Sequence, residues 1–348
     1  METKIIKIAD LKEQGADIAY AANVIRNGGL VIFPTETVYG LGADATNPAA
    51  ALSVYTAKGR PSDNPLIIHL ATAKDVEGYA YSNSTYYLLA ERFMPGPLTV
   101  VLNAKDSIPK ETRGGLKTVA VRCPESDIAR ALIKEAGVPI AAPSANISGS
   151  PSPTNAKHVI EDMMGRVDVI IDGGDCDFGL ESTIVKIDEE NSVTLLRPGK
   201  ITPAEIEALG ITVNIAGAVE NELKENEVAL SPGMKYKHYA PKASLILVDA
   251  NVDDFIKFVN NNKAENIAII SYTDDIDTFT SAFLSADIYD FGSRDDQLQQ
   301  AHRLFKILRD TDYKKYNVIY APLPSSNGIG LALYNRMIRA AAHKIIRL

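Results

Sequence analysis

Small and apolar side chains recur at helical spacing in residues 14–27, at Ile18, Ala21, Ala22 and Ile25, and the pattern stops at Gly28-Gly29. That predicts a helix closed by a glycine C-cap. The run Leu30-Val31-Ile32-Phe33 predicts a strand, and Pro34-Thr35-Glu36-Thr37-Val38-Tyr39-Gly40 a polar turn bounded by proline and glycine. Asn47-Pro48 offers a cap and a first-turn proline for a helix through about Ala57. Further strands are expected over 66–70, 99–102, 118–122 and 140–142, with helices near 83–93 and 126–136 between some of them.

A helix near 154–164 precedes apolar stretches at 167–171, 182–187 and 193–196, whose short links predict antiparallel pairing. The first part of the chain therefore reads as a twisted, mixed α/β sheet. From about 213 to 242 the periodicity lapses into charged residues and then Pro, Gly and aromatic residues, as a linker would. Beyond it, strands at 244–249, 266–271, 286–291 and 317–321 alternate with helical patterns at 252–261, 295–309 and 329–345, which predicts a parallel, Rossmann-like sheet.

At 348 residues the chain is too long for one ordinary core and suits this division: a first domain over 1–212, a linker over 213–242 and a smaller second domain over 243–348. Apolar residues make up 46% and charged ones 23%, an ordinary globular composition. The net charge of −8 is spread along the chain, with 20 Lys+Arg against 25 Asp+Glu in residues 1–200 and 16 against 19 beyond. Neither half has the basic surplus of a protein whose main work is gripping a phosphate backbone, so an anion site must be a local pocket. Cys123 and Cys176 are far apart and form no CxxC pair, which fits a reducing compartment. No apolar leader and no stretch of about 18 to 20 apolar residues is present, so the expectation is a cytoplasmic protein with no membrane partner.

Lys58 and Arg60 lie just past a predicted helix, on a loop stiffened by Pro61 and Pro65. Two cations so placed suit a triphosphate, and equally they suit the dipole at a helix C-terminus. Arg122 ends a predicted strand, where α/β sheets keep their ligands; it is either a fork for a carboxylate or an exposed edge-strand residue. Ser144, Asn146 and Ser148 follow a buried strand and either donate to a ligand or build a turn. Asp172-Gly173-Gly174-Asp175 reads as an acidic turn, and His158, His302 and His343 as surface or packing residues on helices. There is no P-loop and no GxSxG elbow, and Gly328-Ile329-Gly330 lacks the third glycine of a dinucleotide site.

The segments PTETVYGLG (34–42), AKGRPSDNPLIIH (57–69), PGPLT (95–99), TVAVRCP (118–124), APSANISG (142–149), ESTI (181–184) and RPG (197–199) come in the order found in YrdC-type threonylcarbamoyl-AMP synthases. SPGMKYKHYAPK (231–242) and GIGLALYNRMIRAA (328–341) resemble hallmarks of the two-domain members. The resemblance implies a YrdC-like mixed sheet with helices around a concave cleft, followed by the Rossmann-like domain. It further implies synthesis of threonylcarbamoyl-AMP and pyrophosphate from L-threonine, bicarbonate and ATP, with magnesium accompanying the triphosphate.

Carried over by resemblance, Lys58 and Arg60 are the catalytic cations. With Ser62, Thr118, Ser144, Asn146, Ser152 and Arg197 they bind ATP. Thr35, Ile67, His69, Arg122, Ala142 and Ser182 are implied for threonine, with Arg122 on its carboxylate and His69 near its hydroxyl. No protein-held metal is expected. The linker segment 231–239 reads as a lid pivoting at Gly233, with Tyr236 and His238 reaching the nucleotide. The product is expected to pass to a tRNA threonylcarbamoyl-transferase complex, with a weak tRNA contact allowed. The competing expectation is an RNA-binding module without catalysis, which the acidic balance disfavours.

Overall fold

The structure is a computed structural model that describes residues 2–219, 221, 239–262 and 264–348. The first elements are β1 (Lys4–Lys7), α1 (Gly15–Arg26), β2 (Val31–Phe33), β3 (Gly40–Asp44), α2 (Pro48–Lys58) and β4 (Ile67–His69). They continue with β5 (Ala80–Tyr81), α3 (Ser84–Phe93), β6 (Leu98–Ala104), β7 (Thr118–Arg122), α4 (Asp127–Ala136) and β8 (Ile140–Ala141). Next come α5 (Ala156–Met163), β9 (Val169–Asp172), β10 (Thr183–Glu189), β11 (Ser192–Arg197), α6 (Pro203–Glu207) and β12 (Thr212–Ile215).

These strands form one mixed sheet in the order β1-β9-β2-β3-β8-β4-β7-β6-β10-β11-β12, with β5 paired to β6. The helices sit where capping chemistry places them. Asn47 accepts hydrogen bonds from the Ala49 and Ala50 amides at the start of α2, Ser126 accepts from Ala129 at the start of α4, and Gly59 and Gly137 close these helices in the left-handed conformation. One core packs α1 and α4 on β1, β2 and β9 through Ile25, Phe33, Leu132 and Ile171. Another gathers Ile67, Val101, Ala120 and Ile184 from the central strands.

Several expectations need correction. β9 does not pair with the two strands that follow it; it pairs in parallel with β1 and β2, and only β10 and β11 are antiparallel neighbours. Val169, Ile170 and Ile171 are all fully buried, as in an interior parallel strand covered on both faces. β3 lies where the sequence shows only a glycine-rich turn ending. A Cβ on Gly42 would stand 2.7 Å from both Ile140 Cγ2 and Phe33 Cε1, so the glycine here permits close strand packing. β12 extends the sheet into the stretch read as linker, pairing with β11 as a mostly exposed edge.

The described chain divides into two compact units. One comprises the chain up to Ser148, Ser152–Asp177 and the stretch from Glu181; the other comprises Gly149–Pro151, Phe178–Leu180 and the C-terminal part through Leu348. In the second unit, β13 (Ser244–Asp249), α7 (Val252–Asn262), β14 (Ile267–Ser271), α8 (Ile276–Ala282), β15 (Asp287–Asp290), α9 (Gln297–Tyr313), β16 (Val318–Pro322), α10 (Gly330–Ala340) and β17 (Ile345–Arg347) follow in order. Their sheet, β15-β14-β16-β13-β17, is parallel throughout, as the alternating pattern predicts.

The last predicted helix ends early, at Ala340. His343 has a φ of 57° and lies in the turn before β17 rather than on a helix. Within this unit Tyr239 stacks on Phe305 at 5.1 Å, and the fully buried guanidinium of Arg336 lies 5.7 Å from the Tyr239 ring centre. Both hallmark segments thus contribute to its core. No helix among the described residues is long and apolar enough to cross a membrane.

Candidate active site

The register of the central strands decides which side chains meet. His69 pairs with Arg122, and Arg122 with Thr99, so three polar residues from β4, β7 and β6 stand in one row across the sheet. All three are buried. This removes the edge-strand reading of Arg122: β7 is interior, with β4 on one side and β6 on the other.

Arg122 is held by a residue that sequence reasoning passed over. Its Nη2 lies 2.6 Å from Oε1 of Glu36, and both side chains are only 5% exposed. Nε of Arg122 donates to the Gly96 carbonyl at 3.4 Å. Glu36 belongs to the turn between β2 and β3, which Thr35 organises by donating to the Val38 carbonyl at 2.6 Å and meeting the Thr37 hydroxyl at 2.8 Å. The sequence shows only a carboxylate in a short hydroxyl-rich turn after an apolar strand; its burial, which demands a cation, comes from the fold.

A second group continues from Thr99. Its hydroxyl is 2.8 Å from that of Ser182, to which Nη2 of Arg197 donates at 3.1 Å, while Nε of Arg197 donates to the Ser182 carbonyl at 3.0 Å. Ser152 Oγ donates to Glu181 at 2.5 Å. Arg197 and Ser182, expected on different ligands, are direct partners here.

The third group surrounds the end of α2. Nζ of Lys58, the last residue of the helix, donates to the carbonyls of Ser144 and Asn146 and, at 3.4 Å, to Oδ1 of Asn146. The Ser144 hydroxyl donates to the same Oδ1 at 2.6 Å. Ser148 returns a backbone hydrogen bond to the Lys58 carbonyl, so the loop after β8 is tied to the helix from both sides. Arg60 turns elsewhere, donating to the Asn64 and Pro65 carbonyls of its own loop. The carbonyls that these bonds reach lie on different loops.

Of the remaining expected residues, Ile67 and Ala142 are buried and joined by the Ala142 amide on the Ile67 carbonyl at 2.9 Å. Ser62 is exposed on its loop. Thr118 starts β7, roughly 13 Å along the strand from Arg122 at about 3.3 Å per residue. Tyr236, His238 and most of the lid segment lie outside the described residues. Asp172 accepts from the Gly174 amide, the work of an acidic turn.

Burial and charge set the protonation states. Burial, with the Arg122 charge adding to it, pulls the His69 imidazole down to about 3 against the opposing backbone groups of Ile140 and Ile67; the ring is neutral. Its Nδ1 is buried and makes no hydrogen bond among the described residues. Burial pushes the Cys123 thiol up to about 11 and raises that of Cys176, where the nearby Glu36 carboxylate adds to the effect. Neither cysteine is a thiolate nucleophile at neutral pH. Among the described residues no three His, Cys, Asp or Glu side chains cluster as a metal cage. A cavity of about 800 Å³ lined by Leu70, Tyr79, Arg130, Lys134 and Pro139 touches none of the three groups above.

The arrangement offers cations and hydroxyls to anions and presents no nucleophile. Comparison with known proteins agrees with that chemistry. The family model described as "Telomere recombination" matches residues 23–199, and that for the "Threonylcarbamoyl-AMP synthase, C-terminal domain" matches 201–342. The chain is 42% identical to the threonylcarbamoyl-AMP synthase of Pyrococcus abyssi over 99% of each, and 40% identical to that of Bacillus subtilis over the full length of both. The crystal structure of P. abyssi Sua5 complexed with L-threonine superposes with a TM-score of 0.89 at 39% identity, covering 100% of each chain. The chain therefore belongs to the two-domain threonylcarbamoyl-AMP synthase family.

Proposed function

We propose that this protein joins L-threonine, bicarbonate and MgATP into threonylcarbamoyl-AMP and pyrophosphate, with the buried row His69–Arg122–Thr99 as the amino-acid site. The observation that carries the assignment is a guanidinium beside an imidazole nitrogen that has no partner among the described residues, both buried. Arg122 takes the threonine carboxylate as a fork, and the orphaned Nδ1 of His69 is satisfied by the substrate hydroxyl. Thr35, Ile67, Ala142 and Ser182 shape the walls. The P. abyssi relative with L-threonine bound supports an amino-acid site in a fold of this kind.

The nucleotide falls to Lys58 and Arg60 with Ser62, Thr118, Ser144, Asn146, Ser152 and Arg197. Its magnesium would come with the phosphates, since such an ion keeps several waters and is bound through substrate phosphates rather than in a dedicated protein cage. Threonine carbamate attacks the α-phosphorus and pyrophosphate leaves. The protein contributes position and fixed positive charge, which is what nucleotidyl transfer asks of it. Tyr236 and His238, expected to reach the nucleotide, lie outside the described residues. The product goes to the complex that modifies the adenosine beside the tRNA anticodon.

The test is pyrophosphate release from purified protein given ATP, bicarbonate and a panel of amino acids. Threonine is expected to be preferred; release without that preference would overturn the substrate. Salt-dependent tRNA binding with no release would favour an RNA-binding role instead.

A further inference from the structure

We infer that Glu36 is a catalytic residue, the carboxylate that receives the proton threonine must lose before its nitrogen can be carbamoylated. The inference rests on the amino-acid site proposed above.

Glu36 is 6% exposed, and its two oxygens have different surroundings. Oε1 is engaged by Arg122 at 2.6 Å, whereas Oε2 is buried with no hydrogen-bond partner among the described residues. A buried carboxylate oxygen left bare is costly, so the site favours a donor that reaches it. Among the described residues, the charged and titratable groups facing Glu36 are Arg122 from β7, Cys123 just beyond it, and Cys176 from the stretch after β9; His69 faces Arg122 from β4. Both thiols are neutral and the imidazole is neutral. Arg122 and Glu36 are therefore the charges of this cluster, one of each sign in direct contact.

That pair matches a zwitterion. An α-amino acid carries its carboxylate and its ammonium on one carbon, so a carboxylate placed on Arg122 brings the ammonium beside Glu36. The match also answers a chemical need. An ammonium has no lone pair, and neither neutral thiols nor an imidazole with its affinity for protons suppressed can take the proton.

The step balances as R–NH3+ + HCO3− + Glu–COO− → R–NH–COO− + H2O + Glu–COOH. An N–H bond breaks, the electron pair stays on nitrogen and the proton passes to Oε2. The nitrogen pair then bonds to the bicarbonate carbon, whose C–OH bond breaks, and the hydroxide leaves as water with a second amine proton.

The test is the pH dependence of threonine turnover in Glu36→Gln, which keeps an acceptor for Arg122 but takes no proton. At neutral pH turnover is expected to fall by about 100-fold or more. The loss should shrink as pH rises toward the ammonium's own titration, where solvent supplies free amine, with KM for ATP unchanged. Unchanged turnover, or a loss equal at every pH, would overturn the inference; the latter would mean Glu36 only holds Arg122.

If Gln at this position prevents folding, Glu36→Asp keeps the charge but withdraws it by one methylene. It should lower kcat by at least tenfold, a larger factor than any rise in threonine KM. An unchanged kcat would overturn the inference. Wild-type protein that releases no pyrophosphate with threonine would instead overturn the proposed function, so the two failures are separable.

Discussion

The Lys58 ammonium and the Asn146 carbonyl oxygen stand 2.7 Å apart, joining the last residue of α2 to the loop that follows β8. A lysine only 2% exposed, at a helix end and donating to carbonyls, is a structural clamp, and its charge lies beside Ser144 and Asn146, which are proposed above for the nucleotide. Lys58→Met keeps the stem and removes the charge. It is expected to cost about 1 to 3 kcal/mol in denaturant unfolding, because the carbonyls lose a buried partner. It should also raise KM for ATP far more than KM for threonine. Equal changes in the two KM values would show that Lys58 does not separate the substrates.

The Arg122–Glu36 pair predicts an asymmetry between breaking a buried ion pair and replacing it. Arg122→Ala strands the Glu36 carboxylate and is expected to destabilise by about 3 to 5 kcal/mol. Arg122→Met with Glu36→Leu removes both charges and should recover most of that loss, yet remain inactive with threonine. Denaturant midpoints give the first quantity and pyrophosphate release the second. A double variant as unstable as the single one would mean the pair's surroundings, not its uncompensated charge, dominate.

His69 makes stability pH-dependent with a definite sign. The unfolded imidazole takes up its proton below about 6.5, whereas the folded one resists until about 3. The stabilisation is thus fully present above pH 6.5 and lost as pH falls toward 3, at no more than about 1.4 kcal/mol per pH unit. Unfolding free energies measured between pH 7 and pH 4 should fall more steeply for wild type than for His69→Gln. Parallel lines would mean that His69 is not held neutral.

Elements that announce themselves by caps and periodicity were legible in the sequence. α2 follows its Asn47 cap, α4 (Asp127–Ala136) falls in the expected 126–136, and β7 spans the expected residues 118–122. β3 was hidden because two of its five residues are glycines, which strand patterns disfavour. β9 was found, but its partners were not, since register between distant strands leaves no trace in local alternation. The site shows the same divide. Arg122 was visible as a cation at a strand end, but Glu36 acquires meaning only when β2 and β7 bring the two within reach. Lys58 and Arg60, adjacent in sequence terms, separate because Gly59 between them turns left-handed at a φ of 62°.

Gly199 offers a last prediction in which packing alone is changed. It ends the RPG segment beside Thr183, and a Cβ built there would lie 2.4 Å from the Thr183 amide nitrogen and 2.8 Å from the Ser182 carbonyl carbon. These are backbone atoms, so no side-chain rotation relieves the clash. Thr183 is also held by its hydroxyl to the Ile201 carbonyl at 2.8 Å, and Ser182 carries the Arg197 and Thr99 contacts, so any shift reaches the site. Gly199→Ala is expected to destabilise by about 1 to 3 kcal/mol, the usual range for overpacking. Threonine-dependent turnover should fall by more than the unfolded fraction explains, because Ser182 moves with Thr183. Melting temperature and turnover measured on the same preparation separate the two effects. A variant with wild-type turnover and melting temperature would mean that the 182–183 backbone yields without moving Ser182.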